Sequence, residues 1–356
     1  MEISKSISIG TLSVNNRLVM APLLTNLAAT DGSATDKLKA HYKKRAEGGV
    51  GLIITEGSCI DPEHRMSKNN LGIYEDGFIP GLREMTDQIH ASKSKIVMQL
   101  VHAMGMIDLK VVGTRPSQLT LREIEMIVEN FARSALRAMD AGFDGVEFHM
   151  AHWYTVADFL SLTGNNRNDR YGRQSIETRA RLAVDILNRT RELVGNEFPL
   201  ICRISGDEYV VGGNTLKQTA EIAKILVDEG ADAVHVSAGN RIEDGGLTGF
   251  SSQRGHPNKD MPDAVNIHLA EGVKKAIAVP VIGVGKIGKP QVAEEVIAEK
   301  KADMVALGRA LVADPLFPKK AQTGEWNLIH YCEYCNNCWY SVIKGKPLKC
   351  RRLDKQ

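Results

Sequence analysis

The sequence predicts a closed (β/α)8 TIM barrel of the α/β class, followed by a short C-terminal cysteine-rich extension. Three observations carry that prediction. Eight short apolar runs recur along the chain, each nearly continuous, as strands covered on both faces require. Helical periods separate them, which is the alternation of successive βα units. The first run leads into MAPLLTN (20–26), whereas a doubly wound dinucleotide-binding sheet would place a GxGxxG turn there.

The strands are read, in order, at RLVMAP (17–22), VGLIIT (50–55), KIVMQL (95–100) and DGVEFH (144–149). LICRIS (200–205), DAVHVS (232–237), PVIGVG (280–285) and DMVALG (303–308) complete the set. Between them, helices are read over stretches such as LREIEMIVENFARSALRAMDAG and LKQTAEIAKILVDEGA. Each opens on a threonine, Thr120 or Thr215, with Glu123 or Gln218 three positions on, the spacing of a capping box; the second ends near Gly230. Two connections are longer than a minimal βα loop, from Trp153 to about Glu177 and from Gly239 to Asp263. Active sites of such barrels lie at the C-terminal ends of the strands, so these loops are expected to form the rim of a site. The barrel is expected over 1–328 and the cysteine-rich extension over 329–356.

Composition narrows the function classes. The chain is 43% hydrophobic and 25% charged, with a formal net charge of +2, too small to argue for nucleic acid or a membrane surface. The basic residues Lys344, Lys346, Lys349, Arg351 and Arg352 read as a solvated tail. The opening MEISKSISIGTLSVNN has no apolar core of a secretory signal, and no apolar stretch is long enough to span a bilayer. A cytoplasmic protein is expected. Of the six cysteines, Cys59 and Cys202 read as small packed hydrophobes. Cys332, Cys335, Cys338 and Cys350 cluster at the end, which in a cytosolic chain suggests metal ligation before disulfides.

The strand ends hold a compact set of polar groups. The first supplies Ala21, Pro22, Leu23, Leu24 and Thr25; the second Glu56 and Gly57; the third Gln99 and His102; the fourth His149, His152 and Tyr154. The fifth gives Arg203, the sixth Ser237 and Gly239, the seventh Gly283, Gly285 and Lys286, the eighth Gly308 and Arg309. Glycines after the last two strands either permit tight turns or open backbone N–H groups to a phosphate, with Arg309 as a bidentate donor. A phosphate site joined to the Gln99 amide and the Arg203 cation suits a planar heterocycle with a phosphate tail, a description that flavin mononucleotide (FMN) meets. His102 reads as structural. Zinc at the histidines is disfavoured, because one strand supplies the imidazoles and no carboxylate set accompanies them.

Over essentially its whole length the chain resembles the Old Yellow Enzyme family of NAD(P)H:flavin oxidoreductases. The motifs are NRLVMAP (16–22), RAEGGVGLIITEG (45–57), QLVHA (99–103), AGFDGVEFHMAH (141–152), DFLSLTGNNRNDRYG (158–172), RIS (203–205) and the segment 284–315. The resemblance implies that FMN contacts Ala21, Pro22, Leu23, Leu24, Gly57, Gln99, Arg203, Lys286, Gly308 and Arg309. It implies that His149 and His152 hold the electron-withdrawing oxygen of an activated alkene, and that Tyr154 is the general acid. Three departures from the family pattern stand out: Trp153 replaces a glycine, Leu24 replaces a polar residue near the flavin, and the loop after QLVHA through Pro116 is shortened. Thr25 is a candidate to compensate for Leu24.

The Cys332-x2-Cys335-x2-Cys338-x11-Cys350 segment resembles the iron–sulfur segment of the 2,4-dienoyl-CoA reductase branch, where the second gap is three residues rather than two. Four such thiolates can hold a [4Fe–4S] cluster or a structural zinc, or can stay without metal. That branch continues into a flavin- and NAD(P)H-binding module, whereas this sequence ends six residues after Cys350. Hydride is therefore expected directly from NAD(P)H, or electrons from a separate redox partner protein. The resulting expectation is an FMN-dependent ene-reductase acting on an α,β-unsaturated carbonyl or enoyl thioester. Its rivals are an oxidative flavoenzyme of the trimethylamine dehydrogenase type and, last, a non-catalytic flavin-binding protein. Substrate identity, the choice of NADH or NADPH, and oligomeric state, a homo-oligomer included, are left open by the sequence.

Overall fold

The computed structural model describes residues 1–103, 106–107, 110–111, 115–152, 154–240 and 250–352, with backbone alone at 106–107 and 110–111. All eight expected strands are present, with shifted ends: β1 Leu18–Met20, β2 Leu52–Ile54, β3 Lys95–Val101 and β4 Val146–Met150. β5 Leu200–Ser205, β6 Ala233–Ser237, β7 Val281–Val284 and β8 Met304–Leu307 follow. Each pairs in parallel with its sequence neighbours, β8 pairs with β1 and β2 with β3, so the sheet closes. The barrel is the predicted one.

Side-chain alternation along the strands splits the core in two. Val19, Leu52, Ile54, Val97, Ile201, Ala233, Ile282 and Met304 fill the barrel interior. Leu18, Met20, Ile53, Ile96, Met98 and Phe148 face outward onto the helices. An antiparallel hairpin of Ile7–Ile9 and Leu12–Val14, not anticipated from the sequence, adds Ile9, Leu12 and Val14 to the interior cluster. The hairpin precedes β1, so it closes the barrel at the strands' N-terminal ends and leaves the other end for chemistry.

The helices are α1 Asp36–Glu47, α2 Ile79–His90, α3 Leu121–Asp140, α4 Thr155–Leu160, α5 Ile176–Val194 and α6 Leu216–Asp228. α7 Phe250–Gly255, α8 Ile267–Lys274, α9 Pro290–Ala298, α10 Arg309–Ala313, α11 Phe317–Thr323 and α12 Asn337–Ile343 complete the set. The expected capping boxes form. Thr120 Oγ1 accepts from Glu123 N while Glu123 Oε2 accepts from Thr120 N, and Gln218 Oε1 accepts from Thr215 N. Among the described residues no helix is long and apolar enough to cross a membrane.

The cysteine-rich extension lies on the barrel mouth. Val342 and Leu348 pack with Leu24, Met66, Val101 and Tyr154, joined by Cys338, Trp339 and Cys350. Asn26 Nδ2 donates to the carbonyls of Val342 and Lys346, and Leu348 N donates to Thr25 O at 2.7 Å. Asn26 adopts a left-handed φ of 52°, a conformation asparagine tolerates better than most residues.

Candidate active site

Two adjoining clefts open at the C-terminal ends of the strands, and they share Pro22, Leu23, Arg203, Gly255, His256 and Trp339. One holds about 650 Å³ of empty space between Ala21, Gly285, Lys286, Gly308, Arg309 and the extension's Tyr334, Cys338 and Leu348. The other, about 620 Å³, is lined by Leu24, Gly57, Met66, Gln99, His149, His152 and Tyr154. Every candidate catalytic and cofactor-binding residue named from the sequence therefore lines one of them. Their arrangement has two parts, a polar-edged chamber and a cationic, glycine-lined channel, meeting at Arg203.

Arg203 and His149 stand on adjacent strands in direct register. Among the described residues, Arg203 Nε and His149 Nδ1 are buried and find no hydrogen-bond partner. Unpaired buried polar atoms are costly, so both mark places where a polar ligand belongs. Burial opposes the charge on Arg203, and nearby Glu147 favours it. Burial, reinforced by the Arg203 cation, holds His149 and His152 well below the usual imidazole range, so both rings are neutral at pH 7. His152 ends the strand segment in a left-handed conformation (φ 56°), and its Nε2 lies 2.6 Å from Ser237 Oγ. If Ser237 donates that bond, Nδ1–H of His152 is the donor left for a ligand. The Tyr154 ring stands 4.6 Å from the His149 ring, centroid to centroid, and Tyr154 precedes the first residue of α4.

The Gln99 amide is fixed by a chain the sequence reading missed. Gln99 Nε2 donates to Glu147 Oε1 at 2.6 Å, and Glu147 Oε2 lies 2.7 Å from His235 Nδ1. Glu147 and His235 are fully buried inside the barrel. A signal was available, since each is a polar residue with apolar neighbours on both sides within its strand. An added Cβ at Gly57 would stand 3.2 Å from Gln99 Oε1 and 2.9 Å from Met66 Cε, so a side chain there would crowd the Gln99 amide and displace the end of Met66.

The glycines of the channel separate into two kinds. Gly285 has φ +139° and its missing Cβ would meet Asn266 Nδ2 at 2.8 Å, so the fold alone demands glycine. An added Cβ at Gly308 would meet nothing nearer than Leu23 Cδ1 at 3.6 Å, and its neighbours Leu23 and Ala21 are cleft walls. The gap there is cradle space. The two cations are partly engaged already: Lys286 Nζ donates to the carbonyls of Lys259 and Met261, and Arg309 Nη1 donates to Pro257 O at 2.6 Å and to Asn336 Oδ1.

Arg309 thus reaches into the cysteine segment. Burial raises the Cys332 thiol and pushes Cys338 up to about 11, while the Arg309 cation pulls both down. Tyr334 N donates to Cys332 Sγ at 3.3 Å. Among the described residues, the cysteine sulfurs form no group of three within 4.8 Å of one another. A single zinc would need them about 3.8 Å apart, as follows from bonds of roughly 2.3 Å at tetrahedral angles. Cys59 and Cys202 are buried, as expected of packed hydrophobes.

Thr25 does not compensate for Leu24. It is fully buried and its hydroxyl donates to the buried Glu56 carboxylate, which also accepts from Thr25 N and Leu71 N. Trp153, most of the shortened loop after QLVHA, and 241–249 of the second rim segment lie outside the described residues.

The profile of the NADH:flavin oxidoreductase / NADH oxidase family matches residues 2–327. A protein named NADH oxidase from Thermoanaerobacter brockii is 40% identical over 97% of this chain and 54% of its own length. A protein named metal reductase from Desulforamulus reducens is 34% identical over 96% of this chain and 52% of its own. A solved complex of 2-naphthoyl-CoA reductase with 2-naphthoyl-CoA superposes with a TM-score of 0.89 at 27% identity, covering 98% of this chain and 56% of that one. The chain thus spans about half the length of these relatives.

Proposed function

The chain belongs to the NADH:flavin oxidoreductase / NADH oxidase family, and on that premise we propose that it is an FMN-dependent ene-reductase, reducing activated alkenes at the expense of NAD(P)H. The observation that carries the proposal is the two-part cleft itself, with unpaired Arg203 Nε and His149 Nδ1 in its walls. Bound FMN would supply the chemistry of accepting hydride from NAD(P)H and handing it to an alkene carbon. Ala21, Pro22, Leu23, Leu24, Gly57, Gln99, Arg203, Lys286, Gly308 and Arg309 would hold it, the last three around the phosphate. Arg203 brings a buried positive charge to the junction of the two clefts.

The remaining residues act on the substrate in this reading. His149 and His152, being neutral, donate hydrogen bonds to the alkene's carbonyl oxygen and stabilise the negative charge that builds there. Tyr154 delivers a proton to the carbon next to the carbonyl; a phenol is protonated at pH 7 and so is loaded for that step. Activated alkenes include enoyl thioesters, and the aromatic acyl-CoA held by one structural relative supports that class. We assign the four extension cysteines to a [4Fe–4S] cluster. The Arg309 cation beside Cys332, Cys335 and Cys338, which offsets thiolate charge, supports this. A redox partner protein would dock at that face.

Anaerobic NADPH oxidation with and without cyclohexenone tests the activity. Alkene-dependent turnover is expected. Reduced flavin that persists against cyclohexenone and an enoyl thioester, yet yields electrons to a one-electron acceptor, would replace this reading with the oxidative one.

A further inference from the structure

Beside the cleft, a cluster that the flavin reading does not use brings together Asp61, His64 and His102. One ligand atom from each lies within 4.8 Å of the others. We propose that these three residues form a binding site for a divalent transition-metal ion of the zinc class.

The tautomer of His102 is the first argument. Thr155 Oγ1 lies 2.9 Å from His102 O, to which it can donate its one proton, and 2.8 Å from His102 Nδ1. With the hydroxyl proton on that carbonyl, the neutral ring carries its own proton on Nδ1 and Nε2 presents a bare lone pair. This is the outer-shell arrangement that orients metal-binding imidazoles. His102 is 3% exposed, so its ring is held in place by the fold.

Geometry is the second. Among the described residues, the buried His64 Nδ1 pairs only loosely, with Asp61 Oδ2 at 3.3 Å. A charge-assisted hydrogen bond would be nearer about 2.8 Å and aligned. By contrast, about 3.3 Å is the edge of a tetrahedron whose ligand bonds are roughly 2.05 Å. The His64 and His102 rings stand 4.4 Å apart, close enough for both to face one point.

The turn that carries Asp61 and His64 is also held in shape. Cys59 Sγ donates to the carbonyls of Asp61 and His64, and Ala103 N donates to His64 O. One carboxylate and two neutral imidazoles leave a single net positive charge on a bound dication, and nitrogen-rich sets favour zinc and its neighbours over calcium or magnesium. Nothing in the proposal depends on flavin.

The test is zinc binding to the full chain after chelator stripping, in the wild type and in His64→Ala. His64 is about a third exposed and sits on a turn, so this variant should fold. Because free thiolates of the extension can also take up zinc from solution, the readout is the zinc K-edge spectrum, which separates nitrogen and oxygen near 2.0–2.1 Å from sulfur near about 2.3 Å. The wild type should bind about one equivalent more than His64→Ala, carried by nitrogen and oxygen only, and Asp61→Asn should weaken that equivalent about tenfold or more. A chain with the four extension cysteines changed to serine should keep it. Equal zinc in wild type and His64→Ala, or a wild-type spectrum containing sulfur ligands alone, overturns the site.

Discussion

Leu24 is apolar where the resembled family places a polar side chain, and the extension supplies the reason. Leu24 is 6% exposed and shares an apolar cluster with Val342 and Leu348 of the extension, so a polar side chain there would meet hydrocarbon on that side. Tyr154 packs in the same cluster and is 7% exposed, which keeps its phenol away from bulk water and close to the His149 ring. Changing Tyr154 to Phe should slow alkene-dependent flavin reoxidation by about 10² to 10⁴, the usual worth of a positioned acid, while NADPH-driven reduction proceeds normally. Rapid-mixing absorbance at the flavin band separates the two half-reactions, and equal loss of both would remove Tyr154 from the proton step. At this scale the site was legible where residues ended strands, since strand ends face the mouth by geometry. Glu147 and His235 escaped because they lie nearer the starts of their strands, each two residues before the residue read at the strand end, His149 or Ser237. Asp61 and His64 escaped because their partner, His102, lies on a different strand and spacing along the chain does not reveal it.

The elements themselves were legible because buried parallel strands leave continuous apolar runs and capped helices leave a threonine three positions before an acid or amide. The N-terminal hairpin was not, since it is three residues a side and its alternation is too short to stand out. Nor was the placement of the extension, whose polar sequence hides the few apolar side chains that dock it. Asn26 is its main tether: it holds two extension carbonyls, and its Oδ1 accepts from Ser67 Oγ at 2.6 Å. An Asn26→Ala chain loses these bonds and puts alanine at φ 52°, which should cost about 2–4 kcal/mol locally. Hydrogen exchange by mass spectrometry should then show faster exchange over 331–350 with the barrel strands unchanged. Unaltered protection there would mean that the apolar contacts alone hold the extension.

For the molecule as a whole, the mouth of the barrel concentrates histidines that are buried and neutral. His149, His152 and His235 all fall below the ordinary imidazole value of 6.5, with burial as the leading cause. In the unfolded chain each takes up a proton below about pH 6.5, while the folded chain resists until lower pH, so protons bind preferentially to the unfolded state. Stability is therefore full above pH 6.5 and falls as the pH drops below it, by up to about 1.4 kcal/mol per pH unit for each such histidine. Denaturant midpoints measured from pH 7.5 down to 5 should fall steadily, and a flat profile would contradict the burial described. FMN filling the clefts would stabilise the folded state further, by mass action. Every catalytic role assigned to His149, His152 and Tyr154 requires that ligand. Titrating the purified chain with FMN, followed by absorption and by quenching of free flavin fluorescence, tests it directly. Stoichiometric uptake that is weakened about tenfold or more by Arg203→Ala is the predicted result; a chain that remains colourless and leaves FMN fluorescence unchanged would contradict the account.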